Sequence, residues 1–403
     1  MTEKLYHNMP TVETCISKVL ACRKTESAYE ALLDKTVIFP ESGGQLSDRG
    51  FLNDAAVLHA REENGLVWHE TTAPFEVGAE VAVRLDVEAR RDHSAQHTGE
   101  HILSGTANTL FGAVNVGFHM AEDYVTIDLD TYLDEAQITE LERAANRAVQ
   151  ENLPVTVRIV DEQALEHIPL RKQAKGLTGE IRIVEVGAAD SCTCCGTHTA
   201  ASGEVGFIKI TAAAKYKGGT RLWFACGMRA AEASRREHEL LDALARRFST
   251  RPEDVFEAVK KQGDDNAALR AELKKRTETL FSMQAETLLK NAKTAGSVKL
   301  ALYTGQGFSM QELRTLSEKL TLGGNTAAAL LSVNGESILY LFARGANVRF
   351  SMKQACEAAN ALFGGKGGGR DDGAQGSAPL MGESAFLQAA TQLEDYLLRA
   401  LKT

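Results

Sequence analysis

Three of the ten histidines in this 403-residue chain lie four residues apart, at positions 93, 97 and 101 of the segment HSAQHTGEHILSG. Residues i and i+4 share one face of an α-helix, so this spacing predicts a helix whose histidines lie on one side. His97 and His101 can then approach one metal ion together, and His93 and His97 could do the same. The remaining ligands must come from another part of the chain, which constrains the fold to bring two distant segments together.

A cysteine cluster supplies candidate ligands for the second half of the site. Three of the seven cysteines, Cys192, Cys194 and Cys195, lie in the segment SCTCCGTH. They are too close together in sequence for disulfides among them to stabilise the fold. Cys194 and His198 are four residues apart, across a glycine that lets a loop turn tightly around an ion. Two helical imidazoles with one thiolate and one imidazole from a loop suit zinc. We therefore expect one zinc ion per chain.

The spacing does not by itself assign the chemistry. The metalloprotease pattern His-Glu-x-x-His fails because Thr98 stands at the glutamate position, and no Pro-Cys-x-x-Cys motif supports a zinc deaminase. A cysteine cluster alone could also hold a structural zinc ion. Glu100, between two of the helical histidines, is a candidate base, and it could equally face solvent. Catalytic and structural metal sites both stay open on these residues.

The order of strand and helix patterns predicts an α+β fold. From Val12 to about Arg84, short apolar runs separated by Gly, Asn and Pro predict a small β-barrel or sandwich-like module. A helix from His93, a strand pair and a second helix that ends before Pro154 follow, and further strands surround the cysteine cluster. We expect a β-barrel domain over 1–90 and a zinc-binding domain over 91–227.

The rest of the chain divides into a helical and a mixed segment. Residues 228–293 read as a helical linker, with a break at RFSTRPEDV where Thr250 and Glu253 have capping-box spacing. Apolar residues then recur at helical spacing, which predicts a helical hairpin or short coiled coil without requiring a dimer. These residues are Leu269, Leu273, Leu280 and Met283. Residues 294–403 alternate strands and helices, as an α/β domain does.

Charge is unevenly distributed along the chain. The net charge is -9, yet between Val205 and Arg251 ten basic residues face four acidic ones, so this stretch carries +6 and the remainder -15. On charge alone, a solvated helix face and a nucleic-acid surface are equally compatible with this excess. The N-terminus lacks the basic start and apolar run of a secretory signal, and no stretch approaches membrane-spanning length. A cytoplasmic location is expected.

Several motifs resemble one family. QHTGEHIL and CCGTHT resemble the His-x-x-x-His and Cys-x-x-x-His halves of the editing domain of alanyl-tRNA synthetase and of free-standing alanyl-tRNA editing proteins. KTVIFPESGGQLSDRG is similar to their Thr-x-Phe-Tyr-x-Glu-Ser-Gly-Gly-Gln segment, and GGKGGGRDDGAQG resembles the glycine-rich motif of the DHH-associated domain. The resemblance covers nearly the whole chain in the family's order. It leaves no room for an aminoacylation domain and therefore indicates the long free-standing type.

The resemblance implies roles for particular residues. It assigns the metal to His97, His101, Cys194 and His198. His93 is then a neighbour of the site or a core residue and not a ligand. Cys195 replaces a family glycine and Cys192 adds a thiol, so that either thiol could compete for the ion. Thr36 matches the threonine expected to read the substrate hydroxyl, with Gln45 as the next candidate. Without the resemblance, ESGGQLSDRG would read as a glycine hairpin turn with a polar tip.

The implied activity is trans-editing, the hydrolysis of the ester bond that joins serine to mischarged tRNA(Ala). Glycine attached to the same tRNA is the second implied substrate. The expected nucleic-acid contacts are Lys215, Lys217, Arg221, Arg229, Lys366 and Arg370. GGKGGGRDDGAQG is not a P-loop, because Gly367 follows Lys366, and a flexible connecting loop is equally compatible with it. The resemblance also allows a homodimer through the helical linker or the C-terminal domain.

Two other functions are compatible with parts of the sequence. A non-catalytic tRNA-binding protein with a structural zinc ion would use the same four ligands. A phosphoesterase is suggested by the DHH-associated resemblance, but no Asp-His-His motif occurs in the chain.

Overall fold

The computed structural model describes residues 1–165, 167–171 and 179–402. It divides into two compact units, Met1–Pro252 and Glu253–Thr403. This division falls inside the segment 228–293 expected as a linker, and the finer division into four domains stays a prediction. The α+β class is confirmed, since both units combine helices with sheets. Over the residues described, no helix is long and apolar enough to cross a membrane.

The first unit begins with a closed barrel. Alternating burial in EVAVRL, with every second side chain inside, shows how the sequence specifies a strand with one core-facing side. The barrel order is β2-β3-β7-β6-β5-β8, and β1 pairs in parallel with β4 beside it. The elements are β1 (Glu3–Lys4), α1 (Leu5–Asn8), β2 (Thr14–Lys24), β3 (Tyr29–Leu33), β4 (Lys35–Thr36), β5 (Gly50–Leu52), β6 (Ala55–Glu63), β7 (Leu66–Thr71) and β8 (Glu80–Leu85).

The histidine stripe lies on α2 (Val87–Phe111), which is buried along most of its length. This helix was expected to begin at His93, and it begins six residues earlier. The Asp86 side chain caps it by accepting a hydrogen bond from the Ala89 N–H, and Gly112 ends it in a left-handed conformation with a φ of 65°. The cap fixes the first turn of α2 directly after β8, so the helix leads from the barrel to the rest of the first unit and its histidines lie beyond the barrel.

Two further sheets surround α2 in the first unit. One has the order β14-β15-β10-β9 and the other the order β11-β12-β13, all with antiparallel neighbours. The elements are β9 (Asn115–Met120), β10 (Val125–Leu129), α3 (Glu135–Gln150), β11 (Val155–Val160), α4 (Glu162–Leu165), β12 (Ile181–Val186), β13 (Asp190–Thr193), β14 (Ile208–Tyr216), β15 (Gly219–Cys226) and α5 (Gly227–Phe248). The loop that follows β13 carries the cysteine and histidine of CCGTHT.

The second unit is a six-stranded sheet with helices on both faces. Its order is β16-β17-β18-β19-β21-β20, with only the β17–β18 pair parallel among the described pairings. The elements are α6 (Val255–Lys290), β16 (Lys293–Ala295), β17 (Val298–Gln306), α7 (Met310–Thr321), β18 (Thr326–Asn334), β19 (Ser337–Arg344), α8 (Met352–Phe363), β20 (Lys366–Gly369), β21 (Gly373–Pro379) and α9 (Glu383–Ala400).

The structure differs from two sequence-based expectations for this unit, the start of its first helix and the structure of its glycine-rich segment. The helix expected to start at the Thr250–Glu253 capping box begins at Val255, and its N-cap Asp254 makes no side-chain cap hydrogen bond. GGKGGGRDDGAQG is not a flexible loop, because Lys366–Gly369 pairs with β21 as a hairpin. Gly367 permits this pairing, since a Cβ there would lie 2.5 Å from the Gln375 carbonyl oxygen.

Candidate functional site

Four side chains from two distant segments converge in the first unit. The histidines come from adjacent turns of α2, and the cysteine and third histidine come from the loop after β13; their potential ligand atoms all lie within 4.8 Å of one another. The Cys194 Sγ lies 3.3 Å from the His97 Nε2 and 3.4 Å from the His198 Nε2. We call His97, His101, Cys194 and His198 the four-residue cluster.

The loop reaches α2 because it carries a glycine at the contact. A Cβ at Gly196 would lie 2.2 Å from the Cε1 of His97, so any side chain there would push the loop off the helix. The Arg182 guanidinium donates to the carbonyl oxygens of Cys194 at 2.8 Å and Gly196 at 3.0 Å. The His7 Nε2 lies 2.8 Å from the Cys195 carbonyl oxygen. These bonds fix the loop backbone around the cluster.

Each histidine of the cluster is held by its Nδ1 atom. The His97 Nδ1 lies 2.7 Å from the Oε1 of Gln45, and the His101 Nδ1 lies 2.8 Å from the Oδ2 of Asp190. The His198 Nδ1 lies 3.4 Å from the Thr98 hydroxyl. Because Nδ1 is engaged, the Nε2 atoms are left to bind a cation, which is the usual arrangement of metal-binding histidines.

The protonation preferences of Cys194 and His198 fit a metal, whereas burial lowers the pKa of His101 but Cys192 and Asp190 raise it well above its usual value. Burial alone would raise the pKa of the Cys194 thiol, but the neighbouring His97 and His198 hold it well below its usual range. Burial lowers the pKa of His198 to about 3, so this imidazole is neutral at physiological pH. A thiolate and a neutral imidazole are the forms that bind metal. The donor set therefore fits a cation that accepts nitrogen and sulfur ligands.

A second group overlaps the first at His101. His101, Asp190 and Cys192 also place potential ligand atoms within 4.8 Å of one another, and all three are buried. The Cys192 Sγ lies 3.6 Å from the His101 Nδ1. Burial raises the pKa of the Cys192 thiol, which favours its protonated form. Cys195, in contrast, is exposed and lies outside both groups as the structure describes them.

Thr36 and Gln45 are both fully buried, and their polar atoms are already engaged. The Thr36 hydroxyl accepts a hydrogen bond from the Ile38 N–H at 3.0 Å and lies 2.9 Å from the His69 Nε2. The Gln45 Oε1 also accepts from the Thr197 N–H at 3.0 Å, and its Nε2 donates to the Thr197 hydroxyl at 2.8 Å. Gln45 thus ties α2 to the loop that carries Cys194 and His198.

Glu100 is buried beside the cluster and does not face solvent. Its Oε1 accepts hydrogen bonds from the Ser104 hydroxyl and the Asn115 Nδ2, both at 2.6 Å. Its Oε2 lies 3.9 Å from the His101 Nε2. The carboxylate is therefore oriented with one oxygen fixed and the other facing the cluster. His93, one turn before His97, is buried, has no hydrogen-bond partner on its Nδ1 among the described residues, and lies outside the cluster.

The basic residues expected to contact nucleic acid differ in their surroundings. Arg221 pairs with Asp128 and stacks 3.8 Å from the Tyr216 ring centre, and Arg229 pairs with Asp92. The lysines approach aromatic rings instead: Lys215 lies 4.6 Å from the ring centre of Tyr132 and Lys217 5.0 Å from that of Tyr216. Lys366 and Arg370 lie on the hairpin of the second unit and are exposed.

The sequence pattern did not identify Asp190 or Arg171. Asp190 contacts His101, and the Arg171 guanidinium donates to both Asp190 carboxylate oxygens. Neither residue belongs to a metal-binding pattern that can be recognised in a single sequence, so no sequence signal pointed to them.

Two family models match the chain. The Threonyl and Alanyl tRNA synthetase second additional domain matches residues 181–222, which hold Cys194 and His198, and the DHHA1 domain matches residues 297–397. Alanine--tRNA ligase of Pyrococcus abyssi is 28% identical over 389 residues, which span 93% of this chain and 42% of the ligase.

Two relatives match along nearly the whole chain. Alanyl-tRNA editing protein Aarsd1 of Rattus norvegicus is 30% identical over 375 residues, covering 92% of this chain and 89% of the relative. Alanyl-tRNA editing protein AlaX-L of Pyrococcus horikoshii is 28% identical over 412 residues, covering 98% of this chain and 100% of the relative. With the four-residue cluster formed by α2 and the loop after β13, these matches define an enzyme of the aminoacyl-tRNA hydrolase class. The chain belongs to the family of alanyl-tRNA editing proteins.

Proposed function

We propose that this protein is a trans-editing hydrolase that removes serine, and as a second substrate glycine, from mischarged tRNA(Ala) at one zinc ion per chain. The observation that supports this most directly is the four-residue cluster, whose donors fit zinc in type and number. The family supports tRNA(Ala) as the partner. The expected cytoplasmic location fits this role in translation.

Serine and glycine are the substrates because the synthetase that charges tRNA(Ala) cannot exclude them efficiently. A pocket shaped for alanine cannot exclude the smaller glycine by size, and it rejects an added hydroxyl by a factor on the order of only a hundred. A second site can read the hydroxyl positively. A buried polar group that waits for serine stays unpaired when alanine enters, which costs about 1–3 kcal/mol.

The Thr36 hydroxyl is the proposed reader of serine. Its bonds to His69 and the Ile38 N–H mean that it contacts serine only by adding to or exchanging one of these partners. Gln45, the other candidate, has both amide atoms bonded in the loop contact, which favours a positioning role for it. The Thr36→Val substitution tests the reader by comparing seryl-tRNA and alanyl-tRNA hydrolysis, with metal content as the control.

In the proposed reaction, the four-residue cluster binds the metal and Glu100 transfers the proton. His97, His101, Cys194 and His198 would hold the ion. Because four protein ligands fill a zinc site, the ion would lower the pKa of a water or polarise the ester carbonyl only after its coordination expands or one ligand loosens. Glu100 takes the proton of the attacking water on its Oε2, while Ser104 and Asn115 hold its Oε1. The proton then passes to the departing ribose hydroxyl of the tRNA end, so that the amino acid leaves as the free acid.

Basic residues outside the cluster are proposed to contact the tRNA. Lys215 and Lys217 approach aromatic rings and form no carboxylate ion pair within the described residues, so their charges are the most available to acceptor-stem phosphates. Arg221 and Arg229 would exchange their aspartate partners for phosphate. Lys366 and Arg370 supply a second contact on the hairpin of the second unit.

The organisation of the chain is proposed from the sequence pattern. It comprises a β-barrel domain over 1–90, an editing domain over 91–227, a helical linker over 228–293 and a DHH-associated-like domain over 294–403. A homodimer would form through the linker or the C-terminal domain. In support, Leu269, Leu273, Leu280 and Met283 of α6 are each at least 60% exposed.

A deacylation assay separates this function from a non-catalytic tRNA-binding protein with structural zinc. Seryl-tRNA(Ala), glycyl-tRNA(Ala) and alanyl-tRNA(Ala) are incubated with the parent protein and with Cys194→Ala. We expect rapid release of serine, slower release of alanine, and loss of both with Cys194→Ala. If the parent and the variant both release nothing while the parent binds tRNA, the binding-only function is correct.

A further inference from the structure

Asp190 links the cluster to a buried arginine. It begins β13, its side chain is fully buried, and its Oδ2 lies 2.8 Å from the His101 Nδ1. The Arg171 guanidinium binds the same carboxylate through its Nε, on Oδ1, and through a terminal nitrogen, on Oδ2 at 3.0 Å. The chain Arg171–Asp190–His101 therefore runs from a buried cation through a carboxylate to one of the four cluster residues.

The fold is adapted to this contact. Gly105, one turn after His101 on α2, faces the strand that carries Asp190. A Cβ at Gly105 would lie 2.0 Å from the Ala189 carbonyl oxygen and 2.9 Å from the Asp190 Cβ. Any other residue would therefore separate the helix from the start of β13. The glycine allows the carboxylate to reach the far side of the His101 ring.

The same residues could be taken for a second metal site, because His101, Asp190 and Cys192 form a potential ligand group. Two contacts argue against this. The His101 Nδ1 is bonded to the Asp190 carboxylate, so it donates its proton there and cannot bind a second cation. The Arg171 guanidinium holds Asp190 in two bonds and lies 3.7 Å from the Cys192 Sγ, which places a positive charge where the ion would sit.

We propose that Asp190 and Arg171 are positioning residues for the metal, and that Cys192 is not a ligand. Asp190 fixes the proton of His101 on Nδ1, which orients the ring and leaves Nε2 as the ligand atom. Arg171 neutralises the buried carboxylate and holds it in place. This inference rests on the proposed metal site, but it is independent of the proposed substrate.

The test measures zinc stoichiometry and affinity by competition with a chromophoric chelator. Asp190→Ala removes the acceptor, and Asp190→Asn keeps an acceptor oxygen without the charge. Because either could leave Arg171 buried without a partner, the double variant Asp190→Leu with Arg171→Met removes both charges together. Cys192→Ser tests the thiol. The control is Asp48→Leu with Arg90→Met, which removes an equally buried ion pair outside the cluster.

We expect the parent to bind one zinc ion. The Asp190–Arg171 double variant should bind it roughly 10- to 100-fold more weakly. The zinc affinity of Asp190→Asn should lie between those of the parent and the double variant. Cys192→Ser and the control should bind zinc as tightly as the parent. Cobalt substitution should give the same spectrum in the parent and in Cys192→Ser, since the ligand set is unchanged.

Distinct results would overturn the inference and the proposed function. If the parent takes up no metal, the proposed metal site itself is wrong. If the parent binds one ion and the double variant holds it equally tightly, only the positioning role is wrong. Two ions in the parent, one of them lost in Cys192→Ser, would identify the second group as a metal site.

Discussion

Replacing Gln45 by leucine separates a positioning role from a substrate-reading role. Gln45 is fully buried, and its amide joins the His97 ring to the Thr197 backbone and hydroxyl. Leucine has a similar size but no polar atoms, so the His97 Nδ1–H and the Thr197 N–H would both lose their acceptor. The ring of His97 would then be free to rotate away from Cys194.

The magnitude follows from the bonds that are lost. Each buried donor left unpaired costs about 1–3 kcal/mol, so Gln45→Leu should lower the free energy of unfolding by about 2–6 kcal/mol. Loss of the group that orients a histidine ligand weakens metal binding on the order of 10- to 100-fold. Gln45→Glu keeps an acceptor for both N–H groups and should retain the metal.

The assay combines chelator competition with deacylation of seryl-tRNA and alanyl-tRNA. A positioning role predicts weak metal binding and low hydrolysis of both substrates, with their ratio unchanged when excess zinc is supplied. If Gln45→Leu keeps the parent's metal affinity but loses its preference for seryl-tRNA, Gln45 reads the substrate and our interpretation of its contacts is refuted.

Further predictions concern the barrel, the candidate base and the tRNA surface. Thr36→Val should lower the free energy of unfolding, measured in urea, by about 2–6 kcal/mol, since His69 and a backbone N–H lose their partner. A loss equal to that of Thr36→Ser would contradict the bonding described. Burial holds the pKa of His69 at about 4, below its ordinary value of 6.5. The unfolded chain therefore binds a proton that the folded protein excludes, and His69 should make stability fall between pH 6.5 and 4 by up to about 3 kcal/mol. His69→Gln should remove this contribution and leave that of His198, and a profile identical to the parent's would exclude a contribution from His69. Glu100→Gln should lower kcat for seryl-tRNA by roughly 100-fold or more with metal content unchanged, and a parental kcat would exclude it as the base. Lys215→Ala with Lys217→Ala should weaken tRNA binding and reduce the salt slope by about 2; an identical slope would mean that the phosphates bind elsewhere.

The sequence was sufficient to find the candidate ligand pairs because their spacing is local, but spacing alone also allowed His93 with His97, and the choice of His97 with His101 came from the family resemblance. His97 and His101 share a helix face by the helical repeat, and Cys194 and His198 share one tight loop, so each pair could be found without knowing the fold. The start of α2 was missed by six residues, because the Asp86 cap lies in a segment that reads as the end of a strand pattern. Helix boundaries depend on such single contacts.

The supporting contacts could not be predicted, because they join segments far apart in the chain. Gln45 was considered as a reader of substrate, but its bonds to His97 and Thr197 follow only from the docking of the barrel loop on α2. Asp190 and Arg171 are ordinary strand and loop residues in the sequence. Their roles arise from the approach of β13 to α2 at Gly105, a tertiary contact without a local pattern.

The central claim is that four side chains bind one zinc ion that the hydrolysis requires. The most direct measurement is elemental analysis of the purified parent and of Cys194→Ser, with seryl-tRNA(Ala) deacylation measured on the same samples. We predict one zinc per chain and full activity in the parent, and loss of both in the variant. A parent that contains no metal after purification and zinc addition, yet still deacylates seryl-tRNA(Ala), would contradict the account.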